Sequence, residues 1–198
     1  MQFRATPLVG AFLVNIEPHA DARGFFARSW CSREFVAQGL PSRIVQTSIS
    51  HNTHRATVRG MHMQLPPSQE GKLVSCLRGA IYDVIIDLRP GSPTYLQHYA
   101  VELDARAHDA LFIPPQVAHG FQTLADGTEV FYQMTDYFAP ELAFGLRWND
   151  RAFAIQWPTT SDVVILPRDN GYPDFDRQAY ERREAAARSV SVNRGREQ

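Results

Sequence analysis

Lysine is nearly absent from this chain. Lys72 is the only one in 198 residues, and every other basic side chain is an arginine. Codon bias can explain an excess of arginine, but not why one position kept lysine. Long apolar runs are also missing. The opening stretch MQFRATPLVGAFLVN is broken by Pro7 and Gly10 and is followed by no small-residue cleavage signature. No window approaches the roughly 20 apolar residues of a membrane-spanning helix. Neither sign of charge dominates, with 20 Lys+Arg against 21 Asp+Glu and a net charge of −1, so nothing favours nucleic acid or an anionic membrane as partner. Only two cysteines occur, Cys31 and Cys76, in no metal-binding spacing and no disulfide framework. A reducing, cytoplasmic setting is the expectation.

What remains is apolar enough, at 44% hydrophobic residues, to bury a core of ordinary size. One domain is expected over 1–185, with a flexible tail over 186–198. Between about 43 and 138 the chain reads as short strands: RIVQTSIS, ATVRGMHMQ, KLVSCL, AIYDVIIDL, TYLQHYAVEL, ALFIP, HGFQTL and EVFYQMTDYF. Aromatic and β-branched residues fill them, and Arg78-Gly79, Pro90-Gly91 and Asp126-Gly127 punctuate them. WNDRAFAIQWP is a further candidate strand. The pattern predicts an all-β sandwich or barrel. Helices are expected over SREFVAQGL, with a serine N-cap and Gly39 at its close, and over DRQAYERREAAARSV.

The stretch TVRGMHMQLPP, residues 57–67, concentrates the chemistry. Side chains alternate along a strand, so His62 and Gln64 share one face with Gly60, and Met61 and Met63 share the other with Arg59. On EVFYQMTDYF, Tyr132 shares a face with Val130 and Met134. A lumen holding a histidine, a tyrosine and the solitary lysine suits a small molecule. One reading is a metal site in which His62, Gln64, Glu70 and His119 approximate a two-histidine, one-carboxylate set. Against it, the neutral amide of Gln64 is a weak donor to a transition metal, and Glu70 lies in the turn-like PPSQEG. The other readings make His62 a packed core histidine or a base.

The ordered set RGMHMQ, EGKLVSCLRGAIYDVIIDLRPGSPTY, FIPPQVAHGF, TEVFYQMTDYFAP and LRWNDRAFAIQWP closely resembles the dTDP-4-dehydrorhamnose 3,5-epimerase family of cupin-like sugar-nucleotide epimerases. The similarity runs from DARGFF at 21–26 to LPRDNGYPDF at 166–175. It implies an all-β jelly-roll barrel with short flanking helices, a homodimer with exchanged strands, and neither metal nor cofactor. The implied substrate is a nucleoside-diphosphate 4-keto-6-deoxyhexose, whose C3 and C5 hydrogens both lie α to the ketone. By resemblance His62 is the general base, Asp169 orients it, Lys72 steadies the enolate at the C4 oxygen, and Tyr132 returns a proton on the opposite face. His119 is implied as a substrate contact, Arg23 and Arg59 as diphosphate ligands, Phe26 and Phe138 as flanks of the nucleobase, and Gln46 as a polar contact to base or ribose. Arg28, Ser48, Gln133 and Phe138 depart from the usual rhamnose-pathway residues, and three of these four lie on the nucleotide side. The carrier nucleotide and the choice between C3, C5 or both stay open. The alternatives are a metal-dependent cupin oxygenase or isomerase and a non-catalytic sugar-nucleotide binder.

Overall fold

Period-two alternation becomes real strands wherever one face can be buried. The computed structural model describes residues 1–194. Two N-terminal strands open it, β1 (Gln2–Ala5) and β2 (Phe12–Asn15), followed by an outlying hairpin of β3 (His19–Asp21) and β4 (Gly24–Phe26). Helix α1 (Ser32–Ala37) leads to β5 (Gln46–Asn52), β6 (Val58–Gln64), β7 (Lys72–Arg78) and β8 (Ala80–Asp87). The barrel continues with β9 (His98–Asp104), β10 (Ala110–Ile113), β11 (Val117–Thr123), β12 (Thr128–Met134) and the short β13 (Ala143–Gly145). Helices α2 (Pro167–Asn170) and α3 (Arg177–Arg194) close the described chain.

Two antiparallel sheets face each other, a six-stranded one in the order β1-β2-β10-β7-β12-β5 and a five-stranded one in the order β13-β6-β11-β8-β9. This is the jelly-roll architecture expected, with helices only at its margins. Between the sheets lie Val74, Ile81, Ile85, Leu111, Ile113, Phe121 and Val130, all at most 1% exposed. The five-stranded sheet has a second apolar face. There Met61, Met63, Val84 and Ile86 meet Leu146, Trp148, Trp157 and Tyr180, which belong to the C-terminal third of the chain. The sheet is therefore buried on both sides, and its strands carry few exposed residues.

Several expectations are revised. WNDRAFAIQWP forms no strand. Asp150 takes the Ala152 and Phe175 backbone N–H groups at 2.9 and 2.6 Å, Ala154 adopts φ +49°, and the Trp157 indole donates to the Trp148 carbonyl at 2.8 Å. Those local bonds satisfy the backbone as a series of turns. Ser32 is not the N-cap of α1; Cys31 holds that position and no side chain caps it. The C-terminal helix extends to Arg194, and of the expected tail 195–198 lie outside the described residues.

The alternation rule also fails at one point in β6. Its register against β11 pairs His62 with His119 and Arg59 with Phe121, with a shift between them. This bulge places Arg59 on the same side as His62, not with the methionines. Gly60 makes it possible. Its φ is +105°, and a Cβ there would lie 2.5 Å from the His119 carbonyl oxygen and 2.6 Å from the Gly120 Cα. A Cβ on Gly120 would in turn lie 2.6 Å from the Met61 sulfur and 2.7 Å from the Arg59 carbonyl oxygen. The two backbones touch where only glycines allow it. Gly60→Ala is expected to destabilise the protein by about 2 kcal/mol or more, from left-handed strain plus overlap with backbone atoms that cannot yield, measured by urea unfolding.

Candidate active site

The bulge in β6 aims His62 into the mouth of the barrel. There Asp169, only 2% exposed and carried by α2, meets its Nε2 at 2.9 Å. The same carboxylate accepts the Gly60 N–H at 3.3 Å and the Arg168 Nε at 3.1 Å. Burial works to raise the Asp169 pKa, but the bonds from His62, Arg168 and Gly60 outweigh it and bring it down to about 2. An ionised carboxylate can only accept, so the proton of a neutral His62 sits on Nε2 and the lone pair on Nδ1. The ring is edge-on to Tyr172, with centroids 6.4 Å apart.

Lys72, at the start of β7 on the facing sheet, reaches across the mouth. Its ammonium donates to the His62 carbonyl at 3.3 Å and pairs with Glu70 at 3.1 Å. Both side chains are largely buried, at 13% and 8% exposure, so this pair is shielded from the screening that weakens surface pairs.

Tyr132 and Lys72 sit on adjacent strands, and Tyr132 pairs with Val74. Burial first, and then the Asp83 carboxylate, push the Tyr132 hydroxyl well above the ordinary tyrosine range, against an opposing pull from Arg59. It is neutral near pH 7 and carries a proton to give. Its ring is edge-on to His119 at 5.9 Å. His119 is itself bonded through Nε2 to Asp83 at 2.6 Å, deep in the lumen, and the other Asp83 oxygen is buried without a partner among the described residues. A second histidine–aspartate pair thus lies behind the first, since His119 and His62 are register partners.

Arg59, on the His62 side, donates to the Asn52 side chain at 2.7 Å, bridging the two sheets at the rim. Gln46 accepts the Phe138 N–H at 2.6 Å, and the exposed Phe138 ring lines a cavity of about 520 Å³ with His62, Glu70 and Lys72. Arg23 and Phe26 are not with them. They stand on the β3–β4 hairpin, which pairs with no other strand; the Arg23 side chain is 90% exposed and held by Asp21, and Phe26 is 79% exposed. Within one chain, neither faces this cavity.

The alternative metal set does not assemble. Gln64 accepts the Ala139 N–H at 2.6 Å and donates to Ser68 and the Tyr137 carbonyl, so its amide is committed to the 137–139 loop. Glu70 is paired with Lys72, and among the described residues no three His, Cys, Asp or Glu side chains stand where they would hold a metal ion.

Two residues escaped the sequence reading. Asp83 had a signal: with Asp87 it is a carboxylate on the inward face of β8 between Ile81 and Ile85, where an unpartnered charge is strongly disfavoured. Tyr172 had none, because its loop has no period.

A jelly roll that holds an imidazole–carboxylate pair at its mouth, with a buried tyrosine on the opposite sheet, fits a cupin-like isomerase, an enzyme that rearranges bonds to hydrogen at carbon. Comparison with known proteins agrees. The family model described as dTDP-4-dehydrorhamnose 3,5-epimerase matches residues 5–177. The enzyme of that name from Sinorhizobium fredii is 35% identical over 88% of this chain and 90% of its own. A dTDP-4-dehydrorhamnose 3-epimerase from Streptomyces niveus is 34% identical over 85% of this chain and 81% of its own. The crystal structure of the 3,5-epimerase from Bacillus anthracis, with TDP and PPi bound, superposes with a TM-score of 0.84 at 36% identity, covering 88% of this chain and 99% of that one. The chain belongs to the dTDP-4-dehydrorhamnose 3,5-epimerase family.

The lowered Asp169 pKa has a stability consequence. A carboxyl whose pKa is about 3.9 unfolded and about 2 folded stabilises the fold above pH 4, by about 2–3 kcal/mol, and that contribution is lost as pH falls from about 4 to about 2. Asp169→Asn is expected to be less stable than the parent at pH 7, with the gap closing toward pH 2, read from urea midpoints across that range.

Proposed function

We propose that this protein epimerises a nucleoside-diphosphate 4-keto-6-deoxyhexose at C3, C5 or both, through an enolate. The observation that carries the reading is His62 bonded to the buried, ionised Asp169, with its second nitrogen open to the cavity beside the Lys72 ammonium. In this scheme His62 Nδ1 takes the proton α to the ketone. The C–H electrons move into the enolate, and its C4 oxygen is met by Lys72, whose two anchors leave one N–H free. Tyr132, on the opposing sheet, protonates the same carbon from the other face. Net inversion follows because donor and acceptor sit on different walls, and solvent restores both side chains to their starting protonation.

Arg59 at the rim serves the diphosphate, His119 lies against the sugar, and Gln46 and Phe138 serve the nucleoside. The names of the relatives make thymidine diphosphate the first carrier to test, and the Streptomyces niveus enzyme makes C3-only inversion a live outcome. Arg23 and Phe26 fit the same scheme if the hairpin of one copy lies over the cavity of another. The family expectation of a homodimer with exchanged strands supplies that arrangement, and a hairpin unpaired within its own chain supports it. No helix among the described residues is long and apolar enough to cross a membrane, and we take the site of action to be the cytoplasm.

The test is incubation with dTDP-, CDP- and GDP-linked 4-keto-6-deoxy sugars in D2O, followed by NMR. Deuterium should enter at C3, C5 or both without added metal. Absence of exchange with every member of the panel rules the reading out. His62→Ala is expected to lose at least about 10²-fold in exchange while still binding nucleotide. Tyr132→Phe should separate two steps: exchange with retention continues through His62, while epimerised product falls by about 10²-fold. Light scattering should give the mass of two chains, and Arg23→Ala should raise KM with little change in kcat; a monomer with unchanged KM would remove the exchanged-hairpin arrangement.

A further inference from the structure

Beside the His62–Asp169 pair, on the segment between α2 and α3, stands a side chain the scheme above does not use. Resting on the epimerase reading, we propose that Tyr172 is a positioning residue for the sugar. Its ring forms the wall that sets which α-carbon lies against His62, and Gly145 is the notch that lets it stand there.

The first observation is a glycine with no backbone reason to be one. Gly145 has no left-handed φ, and it lies in the regular β13–β6 pairing as the register partner of His62. A Cβ there would fall inside the ring and hydroxyl of Tyr172. With the ring where it stands, a side chain at 145 would have to displace it. The hydroxyl end of the ring therefore abuts the strand at the level of the imidazole, edge-on to His62 at 75°.

The second observation is that the backbone carrying the ring is held on both sides. The Gly171 N–H closes α2 on the Pro167 carbonyl at 2.9 Å, and Arg147 donates to the Tyr172 carbonyl at 3.4 Å while pairing with Asp174. Farther along, the Phe175 N–H is fixed to Asp150 at 2.6 Å, and α3 is anchored by the Tyr180 hydroxyl on the Leu88 carbonyl at 2.6 Å. A half-buried tyrosine whose backbone is tied on both sides has a fixed point of departure for its ring, which is what a positioning wall requires.

The third is what the ring faces. Tyr172 lines the same 520 Å³ cavity as His62 and Lys72, continuing through Phe144, Phe175 and Tyr180. An aromatic face suits the apolar edge of a 6-deoxy sugar, and its hydroxyl, kept protonated by burial, can meet a sugar oxygen at the rim. The wall passes into α3 through Tyr180, so the segment that carries Tyr172 is continuous with the helix that closes the cavity.

The experiment is a four-variant comparison with the parent in D2O, using the best substrate of the panel and following deuterium at C3 and at C5 separately, with melting temperatures and nucleotide affinity measured alongside. Tyr172→Ala is expected to lower kcat by about ten-fold or more and to change the C3:C5 exchange ratio several-fold, with nucleotide affinity unchanged. Gly145→Ala should displace the ring toward His62 and lose at least as much. The Gly145→Ala/Tyr172→Ala double variant should recover to the level of Tyr172→Ala alone, because the added Cβ then meets no ring, and it should keep the altered C3:C5 ratio of Tyr172→Ala, which relief of a clash alone does not predict. Tyr172→Phe, which keeps the ring, should keep the exchange ratio and covers the case in which Tyr172→Ala folds poorly. A folded Tyr172→Ala with kcat and ratio within two-fold of the parent overturns the proposal, as does a ratio that changes equally in Tyr172→Phe. A parent enzyme that exchanges neither hydrogen overturns the epimerase reading itself and this inference with it.

Discussion

The hydrogen bond between His62 and Asp169 joins residues 107 positions apart, and most of the site's geometry follows from it. It ties an inner strand of the five-stranded sheet to a single-turn helix in the C-terminal third. Asp169 also accepts the Gly60 N–H, so the carboxylate grips the bulge that turns His62 inward as well as the imidazole itself. A buried carboxylate with one partner would be costly; with three donors it is ionised and fixed. The tautomer of His62, the side on which Arg59 emerges and the docking of α2 are thus consequences of one local arrangement. Loosening any of them loosens the others.

Around that bond the barrel tolerates an unusual amount of buried polarity. His119 and Asp83 form a second pair, Lys72 and Glu70 a third, and Gln64 commits its whole amide to the loop that carries Phe138. Each of these groups would be destabilising alone. They are accommodated because they satisfy one another and because both faces of the five-stranded sheet are packed with apolar side chains. The exception is the Asp83 oxygen that has no partner among the described residues. It belongs to the carboxylate that raises the Tyr132 pKa, so this unmet polarity in the lumen helps to keep a phenol protonated.

Much of this architecture is legible in the amino-acid sequence, for identifiable reasons. Strands β5 to β12 announce themselves because one face is apolar and turns interrupt them. Lys72 stands out because the chain otherwise uses arginine. What is not legible depends on contacts between segments distant in sequence. The β6 bulge needs Gly60 and Gly120 to meet, so strict alternation puts Arg59 on the wrong face. WNDRAFAIQWP has strand-like composition, yet Asp150 and the two tryptophans hold it as turns through bonds no period predicts. Tyr172 is invisible in a loop sequence and obvious once the ring is seen filling the space over Gly145. Arg23 and Phe26 are singled out by motif alone, and a single chain leaves them facing solvent.

The division of labour between the two sheets bears on how a single fold can invert a carbon. Inversion needs a proton acceptor and a proton donor on opposite faces of a planar enolate, held far enough apart that neither neutralises the other. A helical site would have to find both on neighbouring elements. A sandwich provides two walls by construction. His62 belongs to the five-stranded sheet, Tyr132 to the six-stranded one, and the Lys72 ammonium crosses from the tyrosine's sheet to the histidine's backbone. The distance between walls is set by the apolar layer beneath the site, not by the polar side chains at its mouth. Residues such as Val74 and Phe121, buried between the sheets, therefore hold His62 and Tyr132 on their separate walls.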